Sequence, residues 1–354
     1  MQAVRLSAEK LGLMKQGGVW VPSPLALGPD KKTLPDWQRL LTLYYIRSGA
    51  STVIPGAHTG EFAANDLGIY SHWVALVKEM IEQYGQRRMF LMAAVGGPNA
   101  LRMAELAAGS GFDIVMVAPT AFRDLDDDGV VKMMRDIAGI IPVFGFELVR
   151  SLPGSRDYNL KLWLRIFEFA YGAKGASFDT YRSQVMLEAA ALSERRDDLV
   201  MATGNDDRIV HDLGTIFPFR VNNKLVKVKY HAGLLGHFAT DTHAAVLWSE
   251  HVRKARDGAP WTLPVPEREL AHLVNMCNGA LFDARNNFQN SVWGVKRRLT
   301  DLGLLPAPFC FHEGGRAEMS AEIAHAYSAH PVLNDERFLS EHLAEMKREV
   351  GLPA

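Results

Sequence analysis

The sequence predicts an α/β protein, a (β/α)8 TIM barrel with a C-terminal helical extension. Short apolar runs alternate with amphipathic stretches eight times between residues 19 and 256. The apolar runs are nearly continuous, which is typical of parallel strands buried on both faces. Beyond a proline-rich stretch at residues 257–266, only helical periodicity continues. Eight consecutive units of strand and helix are the number that closes such a barrel.

Each unit places a predicted strand before a predicted helix. The strands are expected at residues 19–27, 51–57, 89–95, 113–119, 142–148, 171–177, 199–205 and 232–239. The helices are expected at residues 34–48, 70–84, 98–108, 129–138, 160–170, 181–192, 208–213 and 242–256. Because parallel strands need helical crossovers, this order predicts a parallel sheet. An open doubly wound sheet is the alternative, but its usual G-x-G-x-x-G turn does not follow the first strand.

Two segments depart from the alternation of strands and helices. Residues 217–230 lie between the seventh helix and the eighth strand and predict a β-hairpin that turns at Asn222 and Asn223. Residues 257–266 carry three prolines in ten positions and indicate a linker. The sequence therefore divides into a barrel at 1–258 and a helical extension at 259–354. Helices of the extension are expected at residues 267–279, 286–303, 317–329 and 336–350.

Composition excludes several classes of function. Among 354 residues, 39 are Lys or Arg and 40 are Asp or Glu, so the net charge of −1 favours neither nucleic acid nor an anionic membrane as a partner. Only Cys277 and Cys310 are present, which excludes a disulfide framework. The sequence has no apolar signal core near its start and no apolar run of about 18 residues, so we expect a cytoplasmic protein without a membrane span.

Neither a metal nor another cofactor is expected from the motifs. The sequence contains no C-x-x-C or H-E-x-x-H pattern. Residues 124–129 (DLDDDG) match the first half of an EF-hand loop, but the position that should hold its bidentate Glu is Arg135. The acidic run is therefore interpreted as the charged start of the next helix.

A lysine inside the sixth predicted strand is the most unusual candidate for chemistry. In a barrel, catalytic side chains come from the C-terminal ends of the strands. Lys174 lies there between Ala173 and Gly175. Burial would lower its pKa and leave a neutral amine, which can attack a ketone and form a Schiff base. The alternative is a lysine at a strand edge with its ammonium group in solvent.

Four segments resemble the dihydrodipicolinate synthase / N-acetylneuraminate lyase family. Residues 54–62 (IPGAHTGEF) resemble its G-x-x-G-E turn, and residues 172–177 (GAKGAS) resemble the strand that carries its Schiff-base lysine. Residues 203–207 (TGNDD) resemble its S-G-D-D turn, and residues 286–303 resemble a helix near its C-terminus. The segments occur in the family's order and span nearly the whole chain. The resemblance implies a class I, pyruvate-type aldolase on a (β/α)8 barrel.

The resemblance also implies a substrate. Lys174 would form an imine with the C2 ketone of a 2-oxo acid such as pyruvate, so that C3 loses a proton or a bond to C3 breaks. An aldehyde is the possible second substrate. The family also implies a homodimer or homotetramer.

Roles for the remaining site residues follow from the same resemblance. Backbone N–H groups near His58 and Thr59, with the Thr59 hydroxyl, would hold the substrate carboxylate. Gly60 would allow close approach of the backbone, and Glu61 would buttress the turn. Gly204 would let the backbone approach the distal end of the substrate.

The sequence departs from the family at the proton relay. Phe146 precedes Lys174 by 28 residues, where the family places its catalytic Tyr. The family's second Tyr falls near residues 120–121, again without a phenol. A true dihydrodipicolinate synthase is therefore not expected. Substitute acid/base candidates are His58, His237 and Glu147, although each histidine could be purely structural.

The alternation of side chains along a strand bears on two of these candidates. If Phe146 points into the barrel, Glu147 points out of it. The orientation of His237 cannot be assigned from the sequence. Three hypotheses follow: a carbon–carbon lyase, a dehydratase or hydratase-aldolase that uses the same lysine, or a ligand-binding barrel without catalysis.

Overall fold

The computed structural model describes residues 3–85, 89–149 and 155–354. Its strands are β1 Gly18–Pro22, β2 Thr52–Ile54, β3 Met92–Val95, β4 Ile114–Val117, β5 Val143–Leu148, β6 Gly172–Ala176, β7 Val200–Thr203, β8 Ile216–Val221, β9 Lys224–Lys229 and β10 Ala232–Gly233. Its helices are α1 Ala8–Gln16, α2 Pro35–Arg47, α3 Leu67–Tyr84, α4 Ala100–Gly109, α5 Asp127–Ala138, α6 Leu160–Phe167, α7 Thr180–Leu192, α8 Ile209–Gly214, α9 Thr242–Arg256, α10 Glu267–Leu281, α11 Ser291–Asp301, α12 Met319–Ser328 and α13 Glu336–Glu349.

Eight parallel strands form a nearly closed barrel, in the order β2-β1-β10-β7-β6-β5-β4-β3. The remaining gap between β2 and β3 is bridged by hydrogen bonds. The Ala94 N–H donates to the Pro55 carbonyl at 2.9 Å, and Thr52 Oγ1 donates to the Phe90 carbonyl at 2.8 Å. The predicted (β/α)8 barrel is confirmed, and the open doubly wound alternative is wrong.

The predicted hairpin is confirmed as β8 and β9, an antiparallel pair outside the barrel sheet. Asn222 and Asn223 have φ values of 47° and 62°. Two successive residues in the left-handed region are what a type I′ turn requires, and Asn tolerates that region better than most residues.

The barrel strands are shorter than the sequence predicts. β1 ends at Pro22 instead of residue 27, because a proline has no N–H to donate to a neighbouring strand. The eighth barrel strand, β10, ends at Gly233, and residues 236–239 form a 3-10 turn instead. The predicted helix at 286–303 begins only at Ser291, because Asn287 and Phe288 adopt left-handed φ values.

An N-terminal helix that the sequence analysis did not predict closes the base of the barrel. Ser7 caps α1 by accepting a hydrogen bond from the Lys10 N–H. Leu6 and Met14 join the cluster of side chains that fills the barrel interior. The Leu6 N–H also donates to the Tyr171 hydroxyl at 3.0 Å, at the start of β6.

The helical extension shares one hydrophobic core with the barrel's outer helices. α10 packs on α8, α13 packs on α2, and α11 packs on the 3-10 turn His58–Asn65. A buried ion pair joins the two parts, since Arg298 donates to both Asp241 carboxylate oxygens at 2.9 and 2.7 Å. The Asp335 N–H donates to the same Asp241 carboxylate at 3.0 Å. None of the helices within the described ranges meets the length and hydropathy needed to cross a bilayer.

Removing Arg298 tests this junction. We expect Arg298→Met to lower the free energy of unfolding by about 3–5 kcal/mol, because it leaves the Asp241 carboxylate buried without its counter-charge. The matched control is Arg297→Met, which removes the neighbouring, partly exposed pair with Asp301 and should cost at most about 1 kcal/mol. Urea denaturation of both variants measures the difference. Equal losses would show that the Arg298–Asp241 pair does not hold the extension to the barrel.

Candidate functional site

Lys174 stands at the C-terminal end of the barrel interior on β6. Its neighbour across the sheet on β5 is Phe146, and the Lys174 Nζ lies 4.4 Å from the centroid of that ring. On the other side, a Cβ placed on Gly204 would lie 2.3 Å from Lys174 Cε and 2.8 Å from the Leu234 carbonyl oxygen. The lysine is 7% exposed, so the alternative of a solvated strand-edge lysine is wrong.

This environment shifts the protonation of the lysine. Burial lowers the pKa of Lys174 to about 8, and the nearby Asp206 carboxylate opposes the shift. Burial in turn raises the pKa of Asp206, which the Lys174 ammonium opposes. A lysine with a pKa of about 8 supplies a useful fraction of neutral amine near neutral pH.

A cavity of about 60 Å³ lies above Lys174 at the C-terminal end of the strands. The polar side chains on its wall are His58, Thr59, Lys174, Asp206 and Ser291. Its apolar side chains include Leu148, Phe178, Leu235, Phe282 and Phe288. The structure therefore brings together Lys174, His58, Thr59 and Gly204 from the residues selected by sequence, with Phe146 directly beneath the lysine.

The turn after β2 places His58 and Thr59 on the cavity wall. His58 is half-buried, and Thr59 is 6% exposed. Burial, assisted by the positive charge of Lys174, lowers the pKa of His58 to about 4. The imidazole is therefore neutral near pH 7 and can either donate or accept a hydrogen bond.

Gly60 and Glu61 face away from the cavity and hold the turn in place. A Cβ on Gly60 would lie 2.3 Å from the Trp73 ring, so close packing explains the glycine. The Glu61 carboxylate accepts hydrogen bonds from Lys296 Nζ at 2.9 Å and from the Phe311 N–H at 2.7 Å. Both partners belong to the extension, which thus fixes the turn from outside the barrel.

His237 and Glu147 do not line the cavity. His237 lies in the 3-10 turn after β10, fully buried, with its Nδ1 2.9 Å from the Tyr327 hydroxyl. Glu147 is also fully buried and accepts from Arg182 Nε at 2.9 Å and Nη2 at 2.6 Å. Burial raises the pKa of Glu147 to about 7, although Arg182 opposes the shift. Phe146 packs inside the barrel and Glu147 outside it, as strand alternation predicts.

Asp206 and several residues of the extension also line the cavity, although they are not among the residues selected by sequence. Asp206 is half-buried and lies within the TGNDD segment, two positions after Gly204, so the motif itself could have indicated it. Ser291 is 7% exposed, and its Oγ has no hydrogen-bond partner among the described residues. It lies on α11, within residues 286–303, a segment that resembles a helix of the family but in which no site residue is predicted.

Helix α10 of the extension also holds the turn after β7. Asn278 Nδ2 donates to the Asp206 carbonyl at 2.6 Å, and Asn275 Nδ2 donates to the Asp207 carbonyl at 2.7 Å. Within the turn, Thr203 Oγ1 donates to the buried Asp212 carboxylate at 2.7 Å. Asp206 is therefore presented to the cavity by a turn that is fixed on both sides.

The described residues contain no cluster of three or more His, Cys, Asp or Glu side chains that could hold a metal ion.

Comparison of the sequence with protein-family models gives no match. Comparison with curated proteins likewise gives none.

Comparison with solved structures finds the same fold in many chains, among them three enzymes. The dihydrodipicolinate synthase of Bacteroides thetaiotaomicron superposes with a TM-score of 0.69 at 16% identity, over 88% of this chain and 98% of that one. The enzyme of the same name from Acinetobacter baumannii, solved with pyruvate, gives 0.68 at 14% identity, over 88% and 98%. N-acetylneuraminate lyase of Fusobacterium nucleatum gives 0.67 at 12% identity, over 89% and 98%. The resemblance expected from the motifs is thus confirmed at the level of the fold.

The pKa of Lys174 can be measured directly. We expect its acetylation by acetic anhydride, followed by peptide mass spectrometry, to show a midpoint near pH 8, below the value of about 10.4 for an amine in water. Asp206→Asn should move the midpoint lower still, because it removes the charge that favours the ammonium form.

Asp197→Asn is the control for this measurement, since Asp197 is exposed and does not line the cavity. It should leave the Lys174 midpoint in place. A midpoint near 10 in the unmodified protein, or an upward shift in Asp206→Asn, would contradict the electrostatics described above.

Gly204 is expected to admit no side chain. Gly204→Ala places a methyl group against Lys174 Cε and a backbone carbonyl, and should lower the free energy of unfolding by about 1–3 kcal/mol through overpacking. The control is Gly279→Ala on α10, where a Cβ meets nothing within 4 Å and should stabilise the helix by about 0.5–1 kcal/mol. Thermal unfolding distinguishes the two. Similar melting temperatures for the two variants would mean that a side chain at position 204 fits without overpacking.

Proposed function

We propose that this protein is a Schiff-base-forming lyase, a class I pyruvate-type aldolase of the dihydrodipicolinate synthase / N-acetylneuraminate lyase type, which acts on a 2-oxo acid through Lys174. The observation that carries the proposal is a buried lysine with a pKa of about 8, facing a cavity at the C-terminal end of the sixth barrel strand. A protein with the same fold was solved with pyruvate, which supports a 2-oxo acid as the substrate class.

The proposed reaction begins with the neutral amine. Lys174 Nζ attacks the C2 carbonyl of the 2-oxo acid to give a carbinolamine, whose hydroxyl takes up a proton and leaves as water, so that a protonated imine forms. The imine withdraws electrons, so C3 releases a proton and an enamine forms. In the synthetic direction the enamine C3 attacks an aldehyde carbon, whose oxygen takes up a proton. Hydrolysis of the imine then frees the product and Lys174, and cleavage runs through the same steps in reverse.

The turn at His58 and Thr59 is the proposed holder of the substrate carboxylate. It lines the cavity together with Lys174 and Gly204, and the Thr59 hydroxyl is a donor on the wall. Hydrogen bonds from a rigid turn would orient the 2-oxo acid before the amine attacks. Lys296 and the Phe311 N–H supply the rigidity through Glu61.

Proton transfer must use groups other than a phenol at the Phe146 position. Among the described residues on the cavity wall, His58 and Asp206 are the titratable candidates besides Lys174. The neutral His58 could accept the C3 proton, and Asp206 could exchange a proton with the lysine as the imine forms. The other two sequence candidates, His237 and Glu147, are held in hydrogen bonds away from the cavity.

The missing phenol favours one second candidate. A dehydratase or hydratase-aldolase would form the same imine and C3 carbanion equivalent, but would then expel a hydroxyl group from C4. Its acid catalyst would act on that leaving group, a task that His58 or Asp206 could perform from the wall.

A homodimer or homotetramer remains a proposal from the family resemblance, to be tested by light scattering.

Borohydride trapping tests the shared imine. The protein is incubated with pyruvate and borohydride, digested, and analysed by peptide mass spectrometry. We expect a reduced pyruvyl adduct on the peptide that contains Lys174 and none in Lys174→Ala. The exposed Lys224 serves as the internal control for non-specific modification.

The outcomes separate the hypotheses. An adduct on Lys174 establishes the mechanism, and product analysis then distinguishes aldol cleavage from dehydration. If neither pyruvate nor a panel of longer 2-oxo acids labels Lys174, the lyase proposal is wrong and a ligand-binding barrel without catalysis becomes the better reading.

A further inference from the structure

Two phenylalanines meet at the mouth of the cavity. Phe178 lies on the loop after β6, four residues beyond Lys174, and Phe288 comes from the extension just before α11. Their ring centroids are 5.1 Å apart with an interplanar angle of 47°. Both side chains line the cavity and both are half-buried, so part of each ring faces the open space. We call these two residues the aromatic pair.

Both members of the pair have left-handed backbones. The φ value is 52° at Phe178 and 63° at Phe288. A bulky residue rarely adopts this region, because its Cβ clashes with the backbone. Such strain persists only where the surroundings impose it, and it collects at ligand clamps and active sites.

A buried network imposes the conformation at Phe178. The Phe178 N–H donates to Asn205 Oδ1 at 3.1 Å. Asn205 is fully buried, and its Nδ2 donates to Ser183 Oγ at 3.0 Å and to the Asp212 carboxylate at 2.9 Å. The ring is therefore fixed from the same turn that carries Gly204 and Asp206.

A second network imposes the conformation at Phe288. The Phe288 N–H donates to the Asp283 carbonyl at 3.2 Å. The Asp283 carboxylate is buried and accepts hydrogen bonds from Asn286 at 2.7 Å, Asn290 at 2.8 Å and Arg316 at 2.8 Å. Two independent hydrogen-bond networks thus hold two phenylalanines with strained backbones next to each other at one cavity.

We propose that the aromatic pair is the distal subsite of the enzyme and binds an apolar, preferably flat aryl, group carried beyond C3 of the 2-oxo acid or on the aldehyde. The inference rests on the proposed function, because Lys174 fixes where C2 lies. Leu235 and Phe282 continue the apolar wall beside the pair. An aryl group would stack on the exposed ring faces. A polyhydroxylated chain would instead lose water against rings that offer no hydrogen bond.

Imine trapping reports on this subsite without knowledge of the physiological reaction. Three 2-oxo acids are compared: pyruvate, 4-phenyl-2-oxobutanoate, and a six-carbon 2-oxo-3-deoxy sugar acid. The concentration that gives half-maximal borohydride trapping on Lys174 is measured for each. We expect the phenyl compound to need at least tenfold less than the sugar acid. If the sugar acid saturates at an equal or lower concentration, the inference is wrong while pyruvate trapping leaves the proposed function intact.

Variants assign the preference to the pair. Phe288→Ala should raise the half-saturating concentration of the phenyl compound, relative to that of pyruvate, by about tenfold. Phe288→Leu, which keeps apolar volume without a ring, should give a smaller increase and guards against a folding defect in the alanine variant. The control is Phe309→Ala, a partly exposed extension residue that does not line the cavity. An unchanged ratio in both Phe288 variants would overturn the assignment, and failure of pyruvate itself to trap would remove the proposed function and the inference together.

Discussion

The burial of the Lys174 amine, away from water, is the constraint on which the rest of the site depends. Lys174 is buried and only the nearby Asp206 charge opposes the effect of burial, so removing the amine from water costs free energy that the surrounding fold must supply. Phe146 lies beneath the amine, Gly204 leaves space for its stem, and Asp206 lies near enough to moderate its charge. A change at any of these three positions would alter the protonation of the lysine or its place in the barrel.

The helical extension determines the shape of the site although it adds no strand to the barrel. Lys296 and the Phe311 N–H hold Glu61 and thereby the turn after β2. Asn275 and Asn278 hold the turn after β7, which forms another part of the cavity wall. The extension also contributes Phe282, Phe288 and Ser291 to the cavity itself. Barrel and extension therefore pack as one structural unit around the cavity.

The sequence predicts the repetitive part of the structure well, because eight units with the same apolar periodicity reinforce one another. It also locates Lys174, since a lysine among small residues in a buried strand is rare. It predicts less about side chains whose role depends on distant partners. Gly60 carries the expected motif but packs on Trp73, and His237 belongs to a turn that no periodicity indicates. Phe178 and Phe288 are 110 positions apart, and no local sequence pattern predicts that their rings are in contact.

The N-terminal helix α1 closes the end of the barrel opposite the cavity. Leu6 and Met14 fill the end opposite Lys174, and the interior between them is packed with apolar side chains. In the proposed reaction, a substrate would therefore reach the amine from the side of the loops that line the cavity, and the product would leave on the same side. In the proposed reaction this geometry favours an ordered kinetic mechanism. The compound that bonds to Lys174 enters first and its partner follows. The product must leave through the same opening before the next turnover begins.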